Sequence, residues 1–306
     1  MKNSFLCIIT VLTVVICSLF LGGCNLPNSK NGLLATQYKA GVTEAFRSYW
    51  FGGKGEVNVY DLHHERYGED RKGSAVIVFV TEEFSKSKQV KLDDASGSDK
   101  INVLKMNKMY HFNTGIYDYS MMESVFTPTD LGQEAHTLKT TVSVQDWCGQ
   151  IFMQLNFKNN KYKLQEMSYF EKPSDKLSSL DGVLLEDDMM NRLRISPESV
   201  PIGEVRMIPS LFFARLRHQT LLPSRASISF SDDKKKQRIC KITYPELKRT
   251  LEIWFDQDFP HKIQGWQEKS EDKLVSAGAL KKTLQTEYWQ KNAEKFRYLR
   301  DSLGLK

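Results

Sequence analysis

Three observations predict a mainly β chain, a β-rich α+β fold on one large, curved antiparallel sheet with flanking helices. Apolar residues recur with a period of two through most of the chain after residue 56. The run Ser74-Ala75-Val76-Ile77-Val78-Phe79-Val80-Thr81 is β-branched and apolar enough for a central strand. Gly, Pro and Asn punctuate the alternating runs at the short intervals of an antiparallel meander.

Residues 33–50 fit one amphipathic helix, with Tyr38, Val42, Ala45, Phe46 and Trp50 near a common face and Phe51-Gly52-Gly53-Lys54-Gly55 ending it. The period then changes to two. Val57 and Val59 open a strand that continues to Glu69, Asp70-Arg71-Lys72-Gly73 reads as a turn, and 74–81 is its hairpin partner. Strand patterns follow at 101–112, 116–126, 136–147, 151–157 and 162–170. They are joined by turn-forming segments such as Asn113-Thr114-Gly115 and Lys158-Asn159-Asn160-Lys161, while 93–99 is a loop.

Residues 182–195 suit a short helix limited by Pro197 and Pro201. Residues 205–217 fit either a helix or a buried strand through Leu211, Phe212, Phe213 and Leu216. Strand periodicity returns at 226–230, 237–244, 249–255 and 261–267. Thr286 is placed to cap a final helix whose Trp289, Ala293, Phe296, Leu299 and Leu303 form one stripe, with Gly304 past its end. Phe296 is expected to be buried against the sheet.

The first 23 residues read as an address. Phe5 begins an apolar run that ends at Leu21-Gly22-Gly23-Cys24, and Lys2 supplies the positive charge of a signal peptide. The run is short for a spanning helix, which needs roughly 20 apolar residues. Leu21-Gly22-Gly23-Cys24 resembles a bacterial lipobox, which implies cleavage before Cys24 and lipidation of its sulfur. Residues 24–32 form a polar tether, leaving 33–306 as a single β-rich globular domain. In Gram-negative lipoproteins that this pattern resembles, Asp after the lipidated cysteine favours inner-membrane retention. Asn25 stands there, so the expectation is an outer-membrane anchor with the domain facing the periplasm.

The formal net charge is +6, but Lys and Arg are interleaved with Asp and Glu, which describes a solvated surface and not a nucleic-acid footprint. Of five cysteines, Cys7 and Cys17 leave with the signal and Cys24 carries lipid. Cys148 and Cys240 remain, and an oxidising compartment makes one disulfide between them an open alternative to two buried thiols. His63-His64-Glu65 offers metal-ligand types, yet adjacent strand residues point to opposite faces, so exposed strand residues are the better reading and no metal is expected. Glu186-Asp187-Asp188 and Asp256-Gln257-Asp258 lack the ligand spacing of a calcium loop and read as solvated acids. Asp146-Trp147-Cys148-Gly149 could present a nucleophile, but no base is identifiable beside it. There is no phosphate-binding glycine loop and no GxSxG, and no cofactor is expected.

Arg66-Tyr67-Gly68-Glu69 and the run from Val76 to Phe84 resemble a family of uncharacterised lipoproteins from flavobacteria and their relatives. The likeness extends to Phe112-Asn113-Thr114-Gly115-Ile116-Tyr117, Tyr119-Ser120-Met121-Met122, Asp146-Trp147-Cys148-Gly149 and Arg249-Thr250-Leu251-Glu252-Ile253, so it covers nearly the whole mature chain. Some members carry the label septum formation inhibitor Maf. True Maf proteins are cytoplasmic nucleotide pyrophosphatases of α/β fold with a Ser-Pro-Arg-Arg type motif that is absent here, and no functional residue carries over.

The expectation is a membrane-anchored periplasmic lipoprotein whose sheet, LolA-like or lipocalin-like, binds an apolar ligand or an envelope protein without catalysis. A scaffold of the cell envelope and a hydrolase are the alternatives. The apolar residues of 76–80 and 211–213 exceed what a one-faced sheet needs, which predicts that part of them lines a cavity.

Overall fold

The computed structural model describes residues 42–305, apart from 95–96, 172–173 and 234–235. Cys24, the tether and the first part of the helix expected over 33–50 lie outside the described residues. What is seen of that helix is α1 (Glu44–Trp50), capped by Thr43, whose hydroxyl accepts from the Phe46 amide at 3.2 Å.

The fold is mainly β, a large, curved, unclosed antiparallel sheet with few helices. Its first half is a meander of β1 (Gly55–Arg66), β2 (Glu69–Ser85), β3 (Lys100–Thr114), β4 (Tyr117–Pro128), β5 (Lys139–Asp146), β6 (Gly149–Lys158), β7 (Lys161–Ser168) and β8 (Lys176–Asp181). The short β9 (Leu184–Leu185) leads through α2 (Met189–Ile195) to β10 (Gly203–Ile208) and α3 (Leu211–Leu216). A second meander follows: β11 (Ser224–Asp233), β12 (Gln237–Tyr244), β13 (Arg249–Asp256), β14 (Ile263–Ser270) and β15 (Lys273–Thr286), then α4 (Tyr298–Leu303). The order across the sheet runs from β8 back to β1, then from β15 back to β9. The halves therefore join along β1 and β15, with Gly55 opposite Thr286.

The edge strands β8 and β9 are separated by Gly182 and Val183 alone, so the sheet must curl until its edges almost meet. Arg206 of β10 reaches Asp181 of β8 at 3.1 Å across this seam. Gly182 donates its amide to the Asn160 carbonyl at 3.1 Å, and a Cβ there would lie 2.6 Å from the same oxygen, which fixes glycine at the crossing.

Inside the curl, alternate residues of the strands form one core with α2, α3 and α1, as in β13, where Arg249, Leu251, Ile253 and Phe255 point inward. Across β2 the two faces are both covered. Ile77 and Phe79 join this inner core, while Val76 and Val78 lie on the opposite face with Val57, Val59 and Leu303. The apolar excess of 76–80 thus serves the covering by the C-terminal segment, and only the 211–213 part lines a cavity.

Several expectations are corrected. The first hairpin turns at Tyr67 and Gly68, both at positive φ (59° and 78°), and residues 70–73 belong to β2. Two positive-φ residues are what a two-residue hairpin matching the sheet twist requires, and tyrosine there hides the signal. Residues 205–217 hold both candidates, a strand and a helix, broken at Pro209. The helix expected after Thr286 is absent as such: 3-10 turns at Tyr288–Gln290 and Glu294–Phe296 precede α4. Phe296 is only half-buried, under the ammonium groups of Lys291 and Lys295 at 5.1 Å, and Leu303 is the buried contact.

Candidate functional site

The helices α2 and α3 pack inside the curled sheet, and Glu186-Asp187-Asp188 fastens this region to the walls. All three acids are buried, contrary to the solvated reading. Glu186 forms a two-pronged pair with Arg249 of β13, whose Nε also donates to Glu268 of β14 at 2.6 Å. Burial opposes the charge on Glu186, but Arg249 overrides it and holds the carboxyl below its usual range. Asp188 accepts from Arg192 at 2.9 Å and from the Thr137 hydroxyl at 2.5 Å.

Asp187 meets different company. It lies against Glu123, whose own charge faces Lys108 Nζ at 2.6 Å. Burial, and then the Glu123 charge, raise the Asp187 carboxyl well above its ordinary value, which favours its protonated form. Its Oδ2 accepts the Leu211 amide at 3.1 Å, and Ser210 Oγ accepts the Phe212 amide at 3.2 Å. Together they fix the start of α3.

A cavity of about 370 Å³ lies between α3 and the concave face of the sheet. One wall is aromatic: Tyr110 and Trp266 stack at 5.7 Å with rings 3° from parallel, and Phe212 approaches Tyr110 at 5.3 Å. Met190, Phe213, Leu216, Leu251 and Val275 complete the apolar lining. The floor is charged, with its groups ion-paired as Glu186–Arg249–Glu268 and Lys108–Glu123. The mouth is formed by Glu65, Arg66, Tyr67, Arg217 and His218. Strand register puts the turns at Tyr67, Ile116 and Trp147 at this same end, each with its side chain exposed.

The opposite end is closed. Arg194 donates to both oxygens of Glu56 at 2.7 and 2.8 Å, Tyr49 donates its hydroxyl to Glu56, and Asn58 donates to it at 2.8 Å. The guanidinium also lies 4.9 Å from the Trp50 and Phe79 rings.

Of the residues singled out from the sequence, His63 and His64 do face opposite ways. His63 is exposed and lies 2.9 Å from Asp70. His64 is buried, which corrects the exposed reading, and it lines the cavity with its Nδ1 lacking a hydrogen-bond partner. Burial, reinforced by Arg217, lowers it to about 4, so its ring is neutral at pH 7. Cys148 and Cys240 are free thiols, so the disulfide considered for them is not formed. Cys148 is exposed at the β5–β6 turn, where Asp146 accepts its amide at 2.7 Å, and Cys240 is buried in β12, which pushes its thiol up to about 12. Neither lines the cavity. Asp256 accepts from Gln264 at 2.9 Å in the β13–β14 connection.

The residues that build the site were largely missed by sequence reasoning. The available signal was charge density in an apolar context: Glu186, Asp187, Asp188, Arg192 and Arg194 stand among Leu184, Leu185, Met189, Met190 and Leu193. A helix this short with apolar residues on every side cannot turn its charges to water.

The structure is similar to the crystal structure of a β-barrel-like protein of domain of unknown function DUF1849 from Brucella abortus. The TM-score is 0.45 at 10% identity, over 76% of this chain and 97% of that one. No family model and no curated protein matches the chain.

Proposed function

We propose that the protein is a binding protein, and that its ligand is a compact apolar or amphipathic small molecule held in the cavity beneath α3. The observation that carries this reading is the contrast within that cavity: an aromatic and aliphatic wall stands over a floor whose charged groups are already ion-paired with one another. At about 370 Å³ it has the size of a small-molecule pocket. A ligand entering it packs against Trp266, Tyr110 and Phe212, which are already shielded from bulk water, and breaks no ion pair. Binding without turnover agrees with the state of the titratable groups, since a histidine at about 4 is a poor general base at neutral pH and the acids that line the cavity, Glu65, Glu186 and Glu268, are each engaged by an arginine. Anchoring through lipid on Cys24, at the outer membrane and facing the periplasm, completes the proposal and rests on the lipobox-like sequence.

The test is uptake of a neutral fluorescent apolar probe, N-phenyl-1-naphthylamine, by detergent-free protein. Saturable uptake that is weakened at least ten-fold by Phe212→Asp, with the far-UV spectrum retained, is the expected result. Absence of saturation in the unaltered protein would reject the cavity as a ligand site.

A further inference from the structure

Behind α3 is a second cavity, of about 220 Å³, between the helix and the sheet at β6, β7 and β8. Ile151, Met153 and Ala214 give it an apolar lining, Arg215, Lys176 and Ser168 contribute polar groups, and one carboxylate, Glu166, stands in the field of Lys176. Arg215 is unlike the other interior arginines. Arg192, Arg194 and Arg249 each meet a carboxylate within 3 Å. Arg215 is 5% exposed and, among the described residues, has no carboxylate within salt-bridge distance, while its Nε and Nη1 have no hydrogen-bond partner. Its guanidinium lies 4.9 Å from the Phe170 ring, which orients the plane without matching the charge. Arg66 is a second cation in its field; burial together with that neighbour lowers its affinity for its proton, against a weaker opposing pull from Tyr119 and from Asp146, which lies beyond salt-bridge distance.

A buried cation without a partner is costly enough that proteins seldom keep one idle. Guanidinium N–H groups match carboxylate and phosphate oxygens in geometry as well as charge. His218 adds a structural mark. It follows α3 at φ 51°, where its amide and that of Gln219 close the helix end on the Arg215 and Ala214 carbonyls at 3.4 and 2.9 Å. That is a position glycine normally fills. Here it holds an imidazole that lines both cavities.

We propose that Arg215 anchors an oxyanion site in the second cavity, which takes the carboxylate or phosphate group of a small molecule, with Lys176 as the outer cation. The site stands on its own geometry and not on the reading of the first cavity. The oxyanion has two possible sources, a free anion or the head group of an amphiphile whose apolar part lies beyond His218 in the first cavity.

Thermal shift and calorimetric titration separate these. In the free-anion arm, inorganic phosphate or acetate raises the melting temperature of the unaltered protein saturably, and R215Q weakens the apparent affinity at least ten-fold. In the head-group arm, decanoate binds at least ten-fold more tightly than decanol, and R215Q removes that difference. Either result supports the site. R215K, which keeps the charge but loses the planar fork, is expected to fall between, and K176Q to have a smaller effect. The melting temperature of R215Q in anion-free buffer is expected to be unchanged or higher, since an unmatched charge is removed. Uptake of the neutral naphthylamine probe by R215Q should be unchanged, so failure here is distinguishable from failure of the first-cavity reading. The proposal is overturned if none of phosphate, acetate or decanoate shows an Arg215-dependent saturable component, or if R215Q melts lower in anion-free buffer.

Discussion

Arg194 and Glu56 meet across 138 residues of sequence, each oxygen of the carboxylate engaged by one terminal nitrogen of the guanidinium, and neither side chain is exposed. The pair links α2, inside the curl, to the first residues of β1, and so closes the end opposite the cavity mouth. Removing one partner strands the other in the core. Glu56→Gln or Arg194→Met alone should cost about 3–5 kcal/mol, and the double variant should cost clearly less than their sum. Urea midpoints of the three variants check this, and strict additivity would contradict it. Burial alone would raise the Glu56 carboxyl, but Arg194 overrides it and lowers it from 4.5 to about 2. The stability this adds is complete above pH 4.5 and is lost as pH falls through about 2.

Asp187 carries the opposite sign. Its carboxyl is raised by burial and by Glu123, so the neutral form is the one the fold favours. Its contribution is greatest below its ordinary value and declines as pH rises towards the raised one. Asp187→Asn imitates the protonated acid and keeps an oxygen for the Leu211 amide. The variant should match or exceed the parent in stability at neutral pH and above, with a flatter dependence on pH above the ordinary carboxylate value. A large loss at pH 8 would show that the charged form is the structural one.

On the outer face of the sheet, Leu303 is buried with Val57, Val59 and Val78, whereas Phe296 remains half-buried. Leu303→Ala should therefore cost about 2 kcal/mol, near the lower end for a buried leucine. Phe296→Ala should cost less than that. Chemical denaturation of both variants ranks them, and the reverse order would mean that the C-terminal segment packs differently.

Lipidation is tested by mass. Intact protein extracted from membranes should carry a diacylglycerol-bearing residue 24 at its N-terminus, and Cys24→Ala should yield protein without lipid. An N-terminus elsewhere would refute the reading of the first 23 residues.

The sheet was legible because its alternation is regular: 237–244 matches β12 in both bounds, and the strands at 101–112 and 151–157 differ from β3 and β6 by a residue or two at each end. β15 escaped because its segment lacks strict alternation. Ala277, Gly278 and Ala279 are small, Gly278 packs beneath the Trp266 indole, and the tail of the strand is polar. The site was less legible for a different reason. Its charges are neutralised by residues tens to more than a hundred positions away, Glu186 by Arg249 and Glu56 by Arg194, and a local reading gives a run of acids to solvent by default. The aromatic wall likewise joins Tyr110 to Trp266, which no spacing connects.

The pairing of Gly55 with Thr286 gives the molecule a polarity. The first and last strands are neighbours, so the chain enters and leaves the sheet at one pole, the pole sealed by Tyr49, Glu56 and Arg194. The mouth beside Tyr67 lies at the other, about 40 Å away along the twelve residues of β1. A ligand that enters beside Tyr67 therefore approaches from the pole opposite the one where the sheet's first and last strands begin and end.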